Sequence, residues 1–302
     1  MKAIQFSHYG APDVLETVEL PDPEPGAGQV RVRVKAVGIS ASDSKIRSGA
    51  LSFGAPLPQQ TGRDVAGIVD AIGTGVTDVA VGDRVFGIAD DGAAAELCLM
   101  TFRAPVPDHL GFVDAAVLPV ALETATRGLD QLEVGEGTVL FVNGASGGIG
   151  SAAVQLAVAR GARVIGAASE QNQRYLTLLG AEPVIYGVGM TDRVRRLAPQ
   201  GVDVALDVAG NGILDQLVAL TGDAGRVITL ADFAGAKEHG VHFSNGFTDG
   251  HAFHAISTIG ELVSAGQFWL PVDNVFTIAD IAEAHRLSET GHVRGRIALL
   301  VT

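Results

Sequence analysis

Positions 30–37 read Val-Arg-Val-Arg-Val-Lys-Ala-Val, with apolar and basic side chains by turns. That period places one row of side chains in a core and the other in water, as in a half-buried strand. Asp64–Ala71 and Arg84–Ile88 are apolar and rich in β-branched residues, and turn signals such as Gly73-Thr74-Gly75 and Gly82-Asp83 bound them. Pro21, Pro23 and Pro25 mark an early loop. Short strands separated by glycine turns predict a compact, barrel-like domain. The texture changes near Asp114. Asp114–Leu132 has helical spacing, with Asp114 placed to cap it. From Thr138 strands and helices alternate: strand Thr138–Val142, helix Gly148–Arg160, strand Arg163–Ala167, helix Asn172–Leu179, then strands at Val184–Tyr186, Val202–Asp207 and Arg226–Leu230. This alternation predicts a parallel sheet covered by helices, an α/β domain. Helix His254–Ala265, strand Val272–Phe276, helix Ile278–Ser288 and strand Arg296–Val301 complete the pattern.

Composition narrows the class. A chain of 302 residues fits two domains of about 150 residues each. Hydrophobic residues make up 47% and charged residues 18%, enough apolar matter for real cores and too much for a disordered chain. The net charge of −13 argues against a nucleic-acid partner, which calls for a basic footprint. The single cysteine, Cys98, excludes an intramolecular disulfide and a Cys-rich zinc site. The first residues lack the apolar region of a signal peptide, and no run of about 18 apolar residues offers a membrane span. The expectation is a soluble, cytoplasmic protein without a membrane partner.

The strongest local signal is Val139–Asn143 running into Gly-Ala-Ser-Gly-Gly-Ile-Gly at 144–150 and then Ser151–Ala157. An apolar strand ends in small residues and a helix opens at once. Small residues let the backbone approach a pyrophosphate, and the free N–H groups of the helix start stabilise the anion. Ala145 stands where the first glycine of G-x-G-x-x-G belongs, whereas Gly147 and Gly150 fit. The following strand ends Gly-Ala-Ala-Ser at 166–169, with no carboxylate at Ala168 to hold a ribose 2′-hydroxyl. A 2′-phosphate therefore meets no direct repulsion there. Ser169 offers a hydrogen bond and Arg174 a charge, so NADP is favoured over NAD, although Glu170 can turn inward.

These residues resemble a known family. The loop 144–150 with Gln155-Leu-Ala and Gly161–Gly166 looks like that of the zinc-independent quinone oxidoreductases of the medium-chain dehydrogenase/reductase superfamily. Val37–Gly49 resembles the family's substrate loop, Gly62–Gly67 and Val81–Gly87 its barrel motifs, and Gly291–Ile297 its C-terminal signature. The resemblance implies a GroES-like β-barrel catalytic domain, discontinuous over 1–118 and 254–302. It implies a Rossmann domain over 119–253, a doubly wound parallel sheet, with NADPH in the cleft between the two. The implied reaction is hydride transfer from NADPH to a quinone or an α,β-unsaturated carbonyl, by a homodimer. Two alternatives stand beside it: a tailoring enoyl reductase or cyclase of secondary metabolism, and a non-catalytic NADPH-binding sensor.

Carried over residue by residue, Gly147, Gly148 and Ile149, with Ala145 and Ser146 before them, match the pyrophosphate loop. Ser169, Arg174 and Tyr186 fall where the family contacts the 2′-phosphate, although Tyr186 reads equally as a strand-end aromatic. Thr124 matches a position near the nicotinamide and phosphates. Val208, Ala209 and Gly210 follow an apolar strand at the sheet's carboxyl edge, and Leu230 at the end of the next strand joins them as cofactor-binding. Ser40 stands where the family usually has Asn and zinc alcohol dehydrogenases have a Cys ligand. Gly62-Arg63-Asp64 replaces their Gly-His-Glu, so the resemblance implies no catalytic zinc. Ser40 and Asp43 are the catalytic candidates. Ser40 or a backbone N–H is expected to meet the developing oxyanion, and Asp43 either orients the substrate loop or caps a helix. The enoyl-reductase tyrosine has no counterpart in Gly49–Pro58, where Phe53 stands. His239, His242, His251 and His254, with Phe243, Phe247 and Phe253, read as a polar loop shaping an apolar pocket rather than as metal ligands.

Overall fold

The computed structural model describes residues 1–51 and 54–301. Phe53 therefore lies outside the described residues. The chain forms two compact units: one holds Met1–Val120, Ile256–Ser264 and the chain from Leu270 onward, the other Ala121–Ala255 and Ala265–Trp269.

In the first unit, β1 (Lys2–Phe6) pairs antiparallel with β2 (Glu16–Glu19). Next come β3 (Val30–Ile39), helix α1 (Ala41–Ser48), β4 (Gln59–Gln60), β5 (Asp64–Ile72), β6 (Arg84–Ala89) and β7 (Leu97–Pro105). The strands β3, β5, β6 and β7 pair antiparallel in turn, and β7 pairs back onto β3, closing a barrel. The alternation predicted for β3 is present: Val30, Val32 and Val34 are buried with Val65, Val85 and Met100, while Arg31, Arg33 and Lys35 point away from that core. Helix α2 (Phe112–Ala116) lies close against β3 at Gly38, where a Cβ would stand 2.4 Å from the Ala116 carbonyl oxygen.

The single helix expected over 114–132 is two helices. α2 starts after Gly111, so Asp114 lies in its first turn rather than at its cap. Helix α3 (Pro119–Gln131) then opens on a proline. Proline has no N–H for a preceding helix and clashes with the carbonyl four residues earlier, but it suits a first turn.

The second unit is a six-stranded, all-parallel sheet. Its strands are β8 (Val139–Asn143), β9 (Arg163–Ala168), β10 (Glu182–Ile185), β11 (Val204–Asp207), β12 (Val227–Thr229) and β13 (His242–Phe243), in the order β10-β9-β8-β11-β12-β13. The crossovers are α4 (Gly148–Ala159), α5 (Gln173–Leu178), α6 (Met190–Leu197), α7 (Leu214–Thr221) and α8 (Phe233–His239). The chain runs outward from β8 to one side and then from β11 to the other, which makes their carboxyl ends the switch point of a doubly wound sheet. The sequence pattern passed over α6, α7, α8 and β13. α6 buries only Met190 and Val194 among charged neighbours, and β13 is two residues long. The histidine-rich segment is therefore no single loop: His239 ends α8 and His242 lies in the sixth strand.

Past α9 (Gly246–Asp249), the helix expected over 254–265 splits at Ile259 into α10 (His254–Thr258) and α11 (Gly260–Ser264), beside the weak helix former Gly260. In the first unit, β14 (Val272–Thr277) runs parallel to β15 (Arg296–Leu300), and β15 pairs antiparallel with β3, with α12 (Ile281–Glu289) between them in sequence. Among the described residues no helix is long and apolar enough to cross a membrane.

One buried ion pair ties this unit together. The Asp64 carboxylate, 1% exposed, receives the Val120 N–H at 2.6 Å and the Arg296 guanidinium, itself 3% exposed. Burial pushes the Asp64 carboxyl up to about 6, against the pull of Arg296 and the Val120 N–H. Arg296→Met is expected to lower the unfolding free energy by about 3 kcal/mol in denaturant titrations at neutral pH, because Asp64 then loses its counter-charge. Adding Asp64→Leu to it should recover a large part of the loss; equal losses in the single and double variants would refute the coupling.

Candidate functional site

The glycine loop sits at the switch point. β8 ends at Asn143, and Gly144 turns the chain with φ +82°, where a side chain would be strained. The Ala145 N–H reaches the Ala167 carbonyl of β9 at 3.0 Å, which pins the loop between two strands. A Cβ on Gly150 would lie 2.1 Å from the Gly144 carbonyl oxygen, so only glycine lets α4 start this close to the loop. A Cβ on Gly147 would meet nothing nearer than 3.7 Å, which leaves open space over the loop. Ser146, Gly147, Gly148 and Ile149 are half-buried at its rim. The amides of the first turn of α4 have no carbonyl four residues back in the helix, and they carry its positive end. Small residues, open space and free amides suit a dinucleotide pyrophosphate.

Three neighbouring strands end in polar residues that meet. Asp207, 1% exposed, accepts at Oδ1 from Asn143 Nδ2 (2.8 Å) and from the N–H groups of Ala209 and Gly210 (3.1 Å each). Its Oδ2 accepts from the Thr229 hydroxyl at 2.7 Å. Thr229 Oγ1 in turn receives the N–H groups of Ala231 and Asp232. The candidate segment Val208–Gly210 is thus folded around one carboxylate. It also lies against the glycine loop: a Cβ on Gly144 would meet Ala209 Cβ at 3.0 Å and Val208 Cγ2 at 3.1 Å. Leu230 follows β12, and its N–H bonds the Asp207 carbonyl.

At the end of β9, Ser169 is half-buried and Glu170 exposed. Asn172, 8% exposed, donates from Nδ2 to Ser169 Oγ (3.1 Å) and to Ser146 Oγ (3.3 Å), joining this strand end to the glycine loop. Gln173 donates to the carbonyls of Ala168, Ser169 and Val184. The Tyr186 N–H bonds the Ala168 carbonyl, which brings its backbone alongside, while its ring is 48% exposed. Arg174 is exposed and has no hydrogen-bond or ion-pair partner among the described residues. The helix expected from Asn172 starts at Gln173, after a 3-10 turn over Glu170–Asn172.

Thr124 donates its hydroxyl to Glu123, which forms a buried pair with Arg127 at 2.8 Å. Burial pushes the Glu123 carboxyl up, but Arg127, the Thr124 hydroxyl and the Ala252 N–H outweigh it, so its pKa is lowered. Arg127 also donates to Ser244, and His251 Nδ1 lies 3.3 Å from Glu123. His251 stacks on Phe253 at 4.4 Å, and His242 bonds Asp249 at 2.9 Å. The two histidines therefore serve separate carboxylates. Among the described residues no three His, Cys, Asp or Glu side chains are grouped to hold a metal ion.

In the first unit, Ser40 precedes α1 and Asp43 lies in its first turn. Asp43 Oδ2 receives both the Ser40 N–H (2.7 Å) and the Ser40 hydroxyl (2.6 Å), and Ser42 Oγ lies 2.6 Å from Ser40 Oγ. Asp43 thus caps the helix and holds the serine. Beneath it, Arg47 is fully buried and donates to the Gly10 carbonyl and to Glu289 of α12. His285, also fully buried, has Nδ1 3.4 Å from the Ser44 hydroxyl and, among the described residues, no partner on Nε2.

Residues 26–112 match the alcohol dehydrogenase GroES-like domain, and residues 179–299 match a zinc-binding dehydrogenase domain. Quinone oxidoreductase of Rattus norvegicus is 34% identical over 241 residues, covering 76% of this chain and 73% of that protein. The chain belongs to the quinone oxidoreductase-like branch of the medium-chain dehydrogenase/reductase superfamily. NADPH-dependent alkenal/one oxidoreductase of Arabidopsis thaliana is 29% identical over 319 residues, covering 99% of this chain and 79% of that one. The solved quinone oxidoreductase from Coxiella burnetii superposes with TM-score 0.86 at 31% identity, covering 100% of this chain and 99% of its own. With the family come the oxidoreductase class, a nicotinamide cofactor, and the GroES-like and Rossmann-like make-up of the two units.

Sequence reading found the glycine loop and the strand-end serine of this oxidoreductase. It missed Asn143, Asp207 and Thr229, although each is the polar last residue of an apolar strand. It also missed Asn172 and the His285 contact, which only the fold brings into place.

Burial pushes the His285 imidazole down to about 4, and Arg47 adds to the push while Asp43 opposes it. Unfolded, the same group titrates near pH 6.5. Between pH 6.5 and about 4 the unfolded chain thus takes up a proton that the folded chain refuses, so stability falls as pH falls. The slope is roughly 1.4 kcal/mol per pH unit. His285→Phe should flatten the curve of unfolding free energy against pH across this window; parallel curves for the two proteins would contradict the assignment.

Proposed function

We propose that this chain is an NADPH-dependent reductase of quinones or α,β-unsaturated carbonyls that works without zinc. One observation carries the choice of cofactor: β9 ends at Ala168 and is followed by half-buried Ser169, neither of them a carboxylate, and the Ser169 hydroxyl is tied to the glycine loop through Asn172. A carboxylate at this strand end would bind a ribose 2′-hydroxyl and repel a 2′-phosphate. Exposed Arg174 and Tyr186 supply a cation and a ring beside it. The names of relatives support the substrate class, which spans quinones in one and alkenals or alkenones in another.

Bound here, NADPH supplies a hydride, and the protein supplies orientation and electrostatics. The amides opening α4 would hold the pyrophosphate, with Ser146 beside them. Val208, Ala209, Gly210 and Leu230, set by the Asp207 knot, would border it, and Thr124 stands on α3 with its proton held by Glu123. In the other unit the Ser40 proton is directed to Asp43, so Ser40 presents a lone pair rather than a proton. With that proton spent, Ser42 is the donor in its 2.6 Å contact with Ser40, so a backbone N–H is left to meet the charge that develops on a carbonyl or quinone oxygen. The final proton then comes from water. The absence of zinc chemistry rests on the donor set: a serine held by a carboxylate and an arginine, Arg63, stand where ligands belong, and neither binds zinc well.

Purified protein is expected to oxidise NADPH in the presence of a simple p-quinone or an alkenone, at a rate unchanged by a zinc chelator. Loss of the rate on chelation would refute zinc independence, and tight NADPH binding with no turnover across a substrate panel would favour a sensor. Ser169→Asp is expected to weaken NADPH binding about 100-fold while leaving NADH binding within a few-fold, as a carboxylate facing a phosphate should.

A further inference from the structure

The Asn172 side chain does more than pack. An amide group has two N–H donors about 120° apart. Here one reaches Ser169 Oγ at 3.1 Å and the other Ser146 Oγ at 3.3 Å. Each serine oxygen thereby accepts one N–H, which turns its own O–H away from the amide. Each keeps its own O–H, and among the described residues neither hydroxyl donates to any acceptor. Both serines are half-buried, and Asn172 itself is 8% exposed, which fixes the amide. The result is a pair of O–H donors with their protons unspent, one on the pyrophosphate loop and one at the end of β9.

We propose that Asn172 is a specificity-determining positioning residue, which turns Ser146 and Ser169 into outward donors for the two phosphate-bearing ends of the adenosine half of NADPH. This rests on the NADPH reading above and adds a residue to it. The amide is neutral, so it directs the protons without a charge of its own, and exposed Arg174 is left as the nearby cation. A carboxylate in its place would do the reverse. It would accept both serine protons, present lone pairs to the ligand and add a negative charge. The ligand that suffers most is the one with a dianionic 2′-phosphate.

The test is calorimetric titration of NADPH and NADH into the full chain and its variants, with thermal unfolding as a check on folding. In the parent protein NADPH should bind more tightly than NADH. Asn172→Asp should weaken NADPH about 30-fold or more, and NADH by no more than about five-fold, since charge-assisted bonds to the 2′-phosphate are lost only in the former. Asn172→Ala should weaken NADPH by about five-fold, and adding Ser169→Ala to it should cost little more, because the first change already leaves the Ser169 proton undirected. If Asn172→Asp fails to fold, the alanine series decides alone. An NADPH-to-NADH affinity ratio that stays within two-fold of the parent in both Asn172 variants overturns the inference while leaving the NADPH reading intact. Parent protein that binds NADH more tightly, or neither cofactor, overturns both.

Discussion

The carboxylate of Asp207 holds together the edge of the sheet on which the candidate cofactor site is built. It lies where the strand order reverses, and it accepts from β8, from the loop after its own strand and from β12. A buried carboxylate in an apolar sheet is costly unless its lone pairs are filled. Four donors fill them here. The same bonds that satisfy the charge set the path of the chain as it leaves three strands. Asn143 leads into the glycine loop, Asp207 into Val208–Gly210, and Thr229 into Leu230. Burial energy is thus turned into loop geometry along the candidate site.

The other unit solves a similar problem with different chemistry. α1 is short and mostly polar, yet it carries Ser40 at its start. Its underside is anchored by fully buried Arg47 and by His285, and its first turn by Asp43. The barrel core beside it is largely aliphatic, and the same unit buries the Asp64–Arg296 pair.

The fold was readable because its signals are local. Alternation in Val30–Val34 and the strand-glycine-helix run from Val139 depend on neighbours in sequence. The same holds for the cap at candidate Ser40, since Ser40 and Asp43 are three residues apart. The unread parts depend on contacts distant in sequence. Asn143 and Asp207 are 64 residues apart, and Ser44 and His285 are 241 apart. Helix starts at Pro119 and Gln173 were blurred by residues that suit both a helix and its boundary. A two-residue strand such as β13 has too little sequence for any period to show.

Arg47 has a consequence for the order in which this chain can be assembled. Its guanidinium joins Gly10 to Glu289, and β3 needs β15 as a neighbour. The first unit therefore stays incomplete on the ribosome until almost the whole chain has emerged, whereas nearly all of the second lies in one stretch, Ala121–Ala255. Domains fold as units once their residues are available. The nucleotide-type sheet can thus form while the barrel's open β3 edge is still waiting for its last strand, and that edge is the part of the nascent protein most exposed to wrong pairing.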